Sequence, residues 1–227
     1  MNAQTLSGVL DAWGSNRAVE LLARTTHAMR ADPGFVQRDD DLASAVFLEE
    51  ETPAGLDADA LNRVLGEIDA ADAADAEATS RLAGGAFADE IAGLPSPVRD
   101  AALDAIARDA SWTFAGLGIQ RLALFDDDGA HAILMRITPG YGVSEHDHEG
   151  EELTLVLTGA YNDGADAYRP GDVSVARPGF VHTPKAEPGE VCYVLLAFRG
   201  APKFKGWMGL IQRWFGFPAR LTGAAAA

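Results

Sequence analysis

The sequence predicts an α+β chain: a small N-terminal helical unit, then an antiparallel β-barrel, then a closing C-terminal helix. Three observations predict it. Apolar residues recur with helical spacing through residues 1–70. From Trp112 the pattern changes to short apolar runs separated by Gly, Asp and Pro, which marks strands and tight turns. Near the end, Trp207, Leu210, Ile211, Trp214 and Phe215 form one apolar stripe at helical spacing.

In order, a short first helix is expected over Leu6–Trp13. A second starts at a Ser15 or Asn16 cap and runs to about Arg30, with Val19, Leu22 and Met29 apolar. Asp32-Pro33-Gly34 stops it, because proline cannot continue the hydrogen-bond ladder and glycine tolerates the exit. A third is expected over Val36–Glu51, broken by Pro53 and Gly55. The fourth is the clearest: Leu61, Val64, Leu65 and Ile68 follow i, i+3, i+4, i+7, behind an Asp57 cap. Residues 71–90, rich in Ala, Asp and Gly, read as a linker, and Val98–Asp109 as one more short helix. Strands are expected at 112–115, 119–125, 131–138, 152–159, 173–177 and 191–198.

Bulk properties narrow the function classes. The 227 residues are 48% hydrophobic, enough for a sizeable core, yet no run of about 18 apolar residues offers a transmembrane helix. No basic-then-apolar leader opens the chain, so a cytoplasmic location is expected. The single cysteine, Cys192, excludes an internal disulfide and sits in an apolar run as a core thiol. Net charge is −16, and residues 1–110 carry 21 acidic against 8 basic side chains. Such a surface repels phosphates, so direct nucleic-acid binding is not expected. An acidic helical half can instead attract a basic protein.

The chemistry concentrates in GYGVSEHDHEGEELTLVLTG (140–159). Side chains alternate faces along a strand, so His146 and His148 point to one side. Glu152 follows a short turn later, and His182 stands in RPGFVHTPKA. Two imidazoles and a carboxylate around one ion form an arrangement that leaves coordination positions open. Glu151 rivals Glu152, but the spacing and the apolar alternation after it favour Glu152. Three imidazoles and a carboxylate suit zinc, iron, manganese, nickel or cobalt, and ligand type alone does not choose. Tyr141, Glu145, Thr154 and Thr183 are candidates for orienting the ligands.

The spacing Gly-x5-His-x-His-x3-Glu-x6-Gly, with Pro178-Gly179-x-x-His182 after it, resembles the two motifs of the cupin superfamily, small double-stranded β-helix barrels with a metal in the mouth. One departure occurs. Arg177 stands where the family has proline, and Pro178 comes one residue late, while Gly171, Gly179 and His182 keep their spacing.

Across the whole chain the layout resembles the ChrR-type anti-sigma factors. The segment LDADALNRVLGEID (56–69) is similar to the end of their sigma-binding domain, and HxHxxxE, ELTLVLTGA and HTP to their cupin domain. The resemblance implies a helical anti-sigma-like domain over 1–75, a linker over 76–97 and a metal-binding cupin domain over 98–220. It further implies a divalent metal, by preference zinc, on His146, His148, Glu152 and His182. The implied partner is an extracytoplasmic-function sigma factor bound through residues 1–75. The implied signal is an oxidant or a small ligand sensed in the cupin.

The family also holds a zinc in its N-terminal domain through His-x3-Cys-x2-Cys. Here His27 aligns with the histidine, but Ala31 and Gly34 replace the cysteines, and no other His precedes His27. One imidazole cannot hold a structural zinc, so no metal is expected there. The folding free energy such a zinc supplies, on the order of 10 kcal/mol, must be replaced by apolar packing. The alternative reading is a metal-dependent cupin enzyme of dioxygenase or isomerase type with a helical appendage. No residue constellation in the sequence names a substrate or a catalytic group for it, and the regulatory reading is preferred.

Overall fold

The computed structural model describes Trp13, residues 16–31, 59, 62, 63 and 66, and residues 87–204 except 128, 165 and 201. The helix expected over 36–51 and the apolar tail from 205 lie outside these described residues, as does the first helix expected over Leu6–Trp13 apart from Trp13. Of the helix expected over 56–69 only residues 59, 62, 63 and 66 are described, with Asn62, Arg63 and Gly66 helical.

Helix α1 (Arg17–Ala31) opens the described fold. Its start is fixed by Asn16, whose Oδ1 accepts from the Ala18 backbone N–H at 2.9 Å, a side-chain cap on an otherwise unsatisfied donor. Val19, Leu22 and Met29 are buried along it, as the spacing predicts, while His27 is exposed. Helix α2 (Ala88–Ala92) is a single extra turn inside the expected linker. Helix α3 (Ser96–Ala107), with Pro97 in its first turn, matches the helix expected from Val98.

Six strands form one antiparallel sheet in the order β1-β2-β3-β10-β5-β8. They are β1 (Thr113–Gly116), β2 (Ile119–Asp127), β3 (Ala130–Ile137), β5 (Glu152–Thr158), β8 (Val173–Ala176) and β10 (Cys192–Arg199). These are the six strands predicted from sequence. The central strands β3, β5 and β10 read as nearly unbroken apolar runs because both faces are largely buried there, whereas the edge strand β1 leaves Phe114 exposed. Leu122, Leu134, Leu155 and Leu195 point outward, into one core shared with Trp13, Leu22, Ile91 and Val98 of the helical segments. Ile133, Val156, Val194 and Phe198 point inward, into a second core. The helices therefore cover the outer face of the sheet, and the inner face encloses a lumen.

The opposite wall is made of very short strands: β4 (His146–His148) paired with β11 (Pro202–Phe204), and β6 (Tyr161–Asn162) between β7 (Ala167–Tyr168) and β9 (Lys185–Ala186). Two isolated bridges, Gly142 with Lys185 and His146 with His182, join these pieces. The result is a two-layered cupin sandwich rather than one continuously hydrogen-bonded barrel. Gly142 permits this closeness, since a Cβ there would lie 2.4 Å from the Pro184 carbonyl oxygen.

Candidate metal centre

Three histidines meet at the lumen wall. His146 and His148 stand two residues apart on β4 and so share a face. His182 arrives by direct strand pairing: the His146 N–H donates to the His182 carbonyl and the His182 N–H to that of His146, both at 3.1 Å. A hydrogen-bonded pair of this kind sets two side chains opposite each other on one side of the ladder. The glycines framing the motif, Gly140, Gly159, Gly171 and Gly179, all have positive φ, a conformation that side chains resist. They turn the chain sharply enough to bring the two segments together.

The Nε2 atoms converge. His148 Nε2 lies 2.9 Å from His182 Nε2, which lies 3.1 Å from His146 Nε2. All three rings are buried. The tautomer of one is dictated by its partner: His146 Nδ1 is 2.9 Å from the Ser144 carbonyl oxygen, which only accepts, so Nδ1 carries the hydrogen and Nε2 a bare lone pair. Burial holds the His146 pKa down to about 3 and that of His148 to about 4, with the neighbouring imidazole of His182 adding to both. The pocket thus presents neutral imidazoles with nitrogens aimed at one point, which suits a divalent cation.

Glu152 is close but differently placed. Its Oε2 is 3.7 Å from His148 Nδ1, and its Oε1 accepts from Thr154 Oγ1 at 3.2 Å. Burial raises its pKa to about 7. The cluster whose ligand atoms mutually approach is therefore His146, His148 and His182, with Glu152 beside it. Of the expected orienting residues, Thr154 touches Glu152, while Tyr141 and Thr183 are exposed. Two that sequence reasoning missed are Ser144, which acts through its carbonyl, and Asp147, whose Oδ1 accepts from the backbone N–H of His148 at 2.7 Å and of Gly179 at 2.8 Å. Asp147 thereby ties the His-x-His strand to the loop that carries His182. Its position between the two histidines was the available signal. Cys192, as expected, is a buried thiol, its pKa pushed up by burial to about 12.

Residues 103–201 match the family model of the ChrR cupin-like domain. Anti-sigma-E factor ChrR of Cereibacter sphaeroides is 32% identical over 176 residues, which cover 77% of this chain and 78% of its own. The chain belongs to the ChrR family of anti-sigma factors. Among solved structures, Rhodobacter sphaeroides SigE in complex with the anti-sigma ChrR matches at 28% identity and TM-score 0.49, covering 87% of this chain and 96% of that one. An RmlC-like cupin from Ralstonia eutropha matches at 16% identity and TM-score 0.40, covering 53% and 88%. The ChrR-like domain carries the three histidines within its matched span. No described helix of this ChrR-family chain is long and apolar enough to cross a membrane.

Proposed function

We propose that the protein sequesters an extracytoplasmic-function sigma factor through residues 1–75, while a metal-loaded cupin domain over 98–220 receives an oxidant or small-ligand signal. The observation that carries this is the 32% identity to Anti-sigma-E factor ChrR, which runs over three quarters of both chains rather than over the cupin alone. Charge supports it: residues 1–110 have 21 acidic and 8 basic side chains, complementary to the DNA-binding surface of a sigma factor. A regulator meeting RNA polymerase works in the cytoplasm, the location proposed here.

His146, His148 and His182 would hold the metal, with Glu152 as a fourth ligand; the ligand set admits several divalent ions, and zinc is preferred by resemblance to the ChrR family. A metal held there would supply a fixed positive charge and a Lewis acid. The protein supplies the rest: the Ser144 carbonyl sets the His146 tautomer, Thr154 orients Glu152, and Asp147 keeps the two ligand-bearing segments in register.

The N-terminal unit works here without a zinc of its own, since Ala31 and Gly34 replace the cysteines. Packing substitutes for it in the described part, where Leu22, Val19 and Met29 of α1 are buried against the sheet. In a reconstituted transcription assay with the extracytoplasmic-function sigma factors of the same genome, one sigma factor should lose most of its promoter-specific transcript when the protein is added. Undiminished transcription with every such sigma factor would refute the proposal and favour a cupin enzyme.

A further inference from the structure

The lumen beside the histidines is a cleft with a cavity volume of about 100 Å³, open to solvent on one side. Ile119, Ile133, Ile137, Val194, Leu196 and Phe198 line it, and so does one cation, Arg121. Arg121 lies on β2 two residues after Ile119 and therefore shares its inward face. Its Nε donates to the hydroxyl of Thr113 on β1 at 3.2 Å. Thr113 is neutral, and no carboxylate of the described residues ion-pairs with Arg121.

Two arginines on or beside the sheet are served differently. Arg136 meets Glu90 at 2.7 Å and Arg177 meets Glu151 at 3.1 Å. Arg121 is half-buried among apolar side chains, and desolvation holds its pKa below the ordinary arginine value, with no opposing charge offsetting it. A guanidinium is a planar fork of donors that matches a carboxylate, and burying one without an anion is costly. Ligand pockets combine a mostly apolar wall with a few polar groups that fix orientation, and this cleft has that composition.

We propose that the cleft binds a small organic acid with an apolar tail, its carboxylate on Arg121 and its chain along Ile119, Ile133, Ile137, Val194, Leu196 and Phe198. This ligand is the input of the regulator proposed above. Its binding is read on the purified chain without any sigma factor, so a missing ligand and a missing partner are separate failures.

The test is calorimetric titration of the full-length, metal-loaded protein with octanoate and, in parallel, with 1-octanol as the uncharged homologue. Octanoate should bind at one site, at least tenfold more tightly than octanol. Arg121→Gln should lower octanoate affinity at least tenfold and leave octanol affinity unchanged, which also shows that the variant keeps a folded lumen. Arg121→Lys should restore part of the loss. Three results would overturn the proposal: no octanoate binding, equal affinity for acid and alcohol, or full octanoate affinity in Arg121→Gln. The last would place the carboxylate on the metal instead.

Discussion

The indole Nε1 of Trp13 donates a 2.6 Å hydrogen bond to Oε2 of Glu151, a residue 138 positions later in the chain. Glu151 precedes Glu152, and the two side chains serve opposite faces of the sheet. Glu152 lines the lumen beside His148, while Glu151 on the outside holds the start of the N-terminal helical segment. Arg177 binds the other oxygen of Glu151 at 3.1 Å. Arg199 lies over the Trp13 ring at 4.7 Å and donates to the Trp13 carbonyl at 3.2 Å. One strand end therefore links the candidate metal site to the helical segment.

Trp13→Phe keeps the ring over which Arg199 lies and removes only the donor to Glu151. It should destabilise the protein by about 1.5–3 kcal/mol, the usual worth of a hydrogen bond to a charged group. In a double-mutant cycle with Glu151→Gln, denaturant unfolding should show a coupling clearly above zero. Additive effects would mean that the pair does not anchor the segment.

A second anchor titrates. Arg136 makes two bonds to Glu90, at 2.7 and 3.0 Å, and the Tyr193 hydroxyl donates to Glu90 at 2.8 Å, pinning α2 to the sheet. The Arg136 hydrogen bond is the largest influence on Glu90 and holds its pKa below the ordinary 4.5. Below that value the unfolded chain takes up a proton that the folded protein resists, so stability rises with pH in this window. The anchor's contribution is complete above about pH 4.5 and is lost as pH falls through the lowered value. The melting temperature of Glu90→Gln should trail the wild type at neutral pH, and the gap should close on acidification. A gap that is constant with pH would contradict this.

Replacing His146, His148 or His182 by Ala should remove most of the bound metal by elemental analysis, because each supplies one of the three converging nitrogens. His27→Ala is the control. His27 is exposed on α1, and metal content should not change.

Proton release tests the role of Glu152. Its pKa of about 7 keeps it largely protonated at about pH 6, while His146 and His148, at about 3 and 4, are already neutral there. Zinc titrations in buffers of different ionisation enthalpy should therefore show roughly one proton released per metal at about pH 6 and almost none at about pH 8. No release at the lower pH would remove Glu152 from the ligand set.

The large sheet was legible because its central strands β3, β5 and β10 bury both faces and leave apolar runs, while Gly, Asp and Pro turns mark the ends of the others. The opposite wall was not. β6, β7 and β9 have two residues each, too few for any period to register. His146 and His148 could be placed on one face from their spacing alone, and the glycines of the motif fixed where His182 returns. Arg121 carried no local signal, since a lone arginine in a strand reads as a solvated edge until the lumen around it is seen. The Trp13–Glu151 bond is invisible for another reason: it joins segments with no shared periodicity and depends on how α1 packs across the sheet.

The ChrR-family chain should bind a sigma factor without an N-terminal zinc. The most direct measurement is affinity capture of the tagged full-length protein from its own host lysate, with quantitative mass spectrometry of what co-elutes. A sigma factor should be recovered in roughly equal amount, and recovery should disappear when residues 1–75 are deleted. Recovery of no sigma factor, from protein that still carries its barrel metal, would contradict the account.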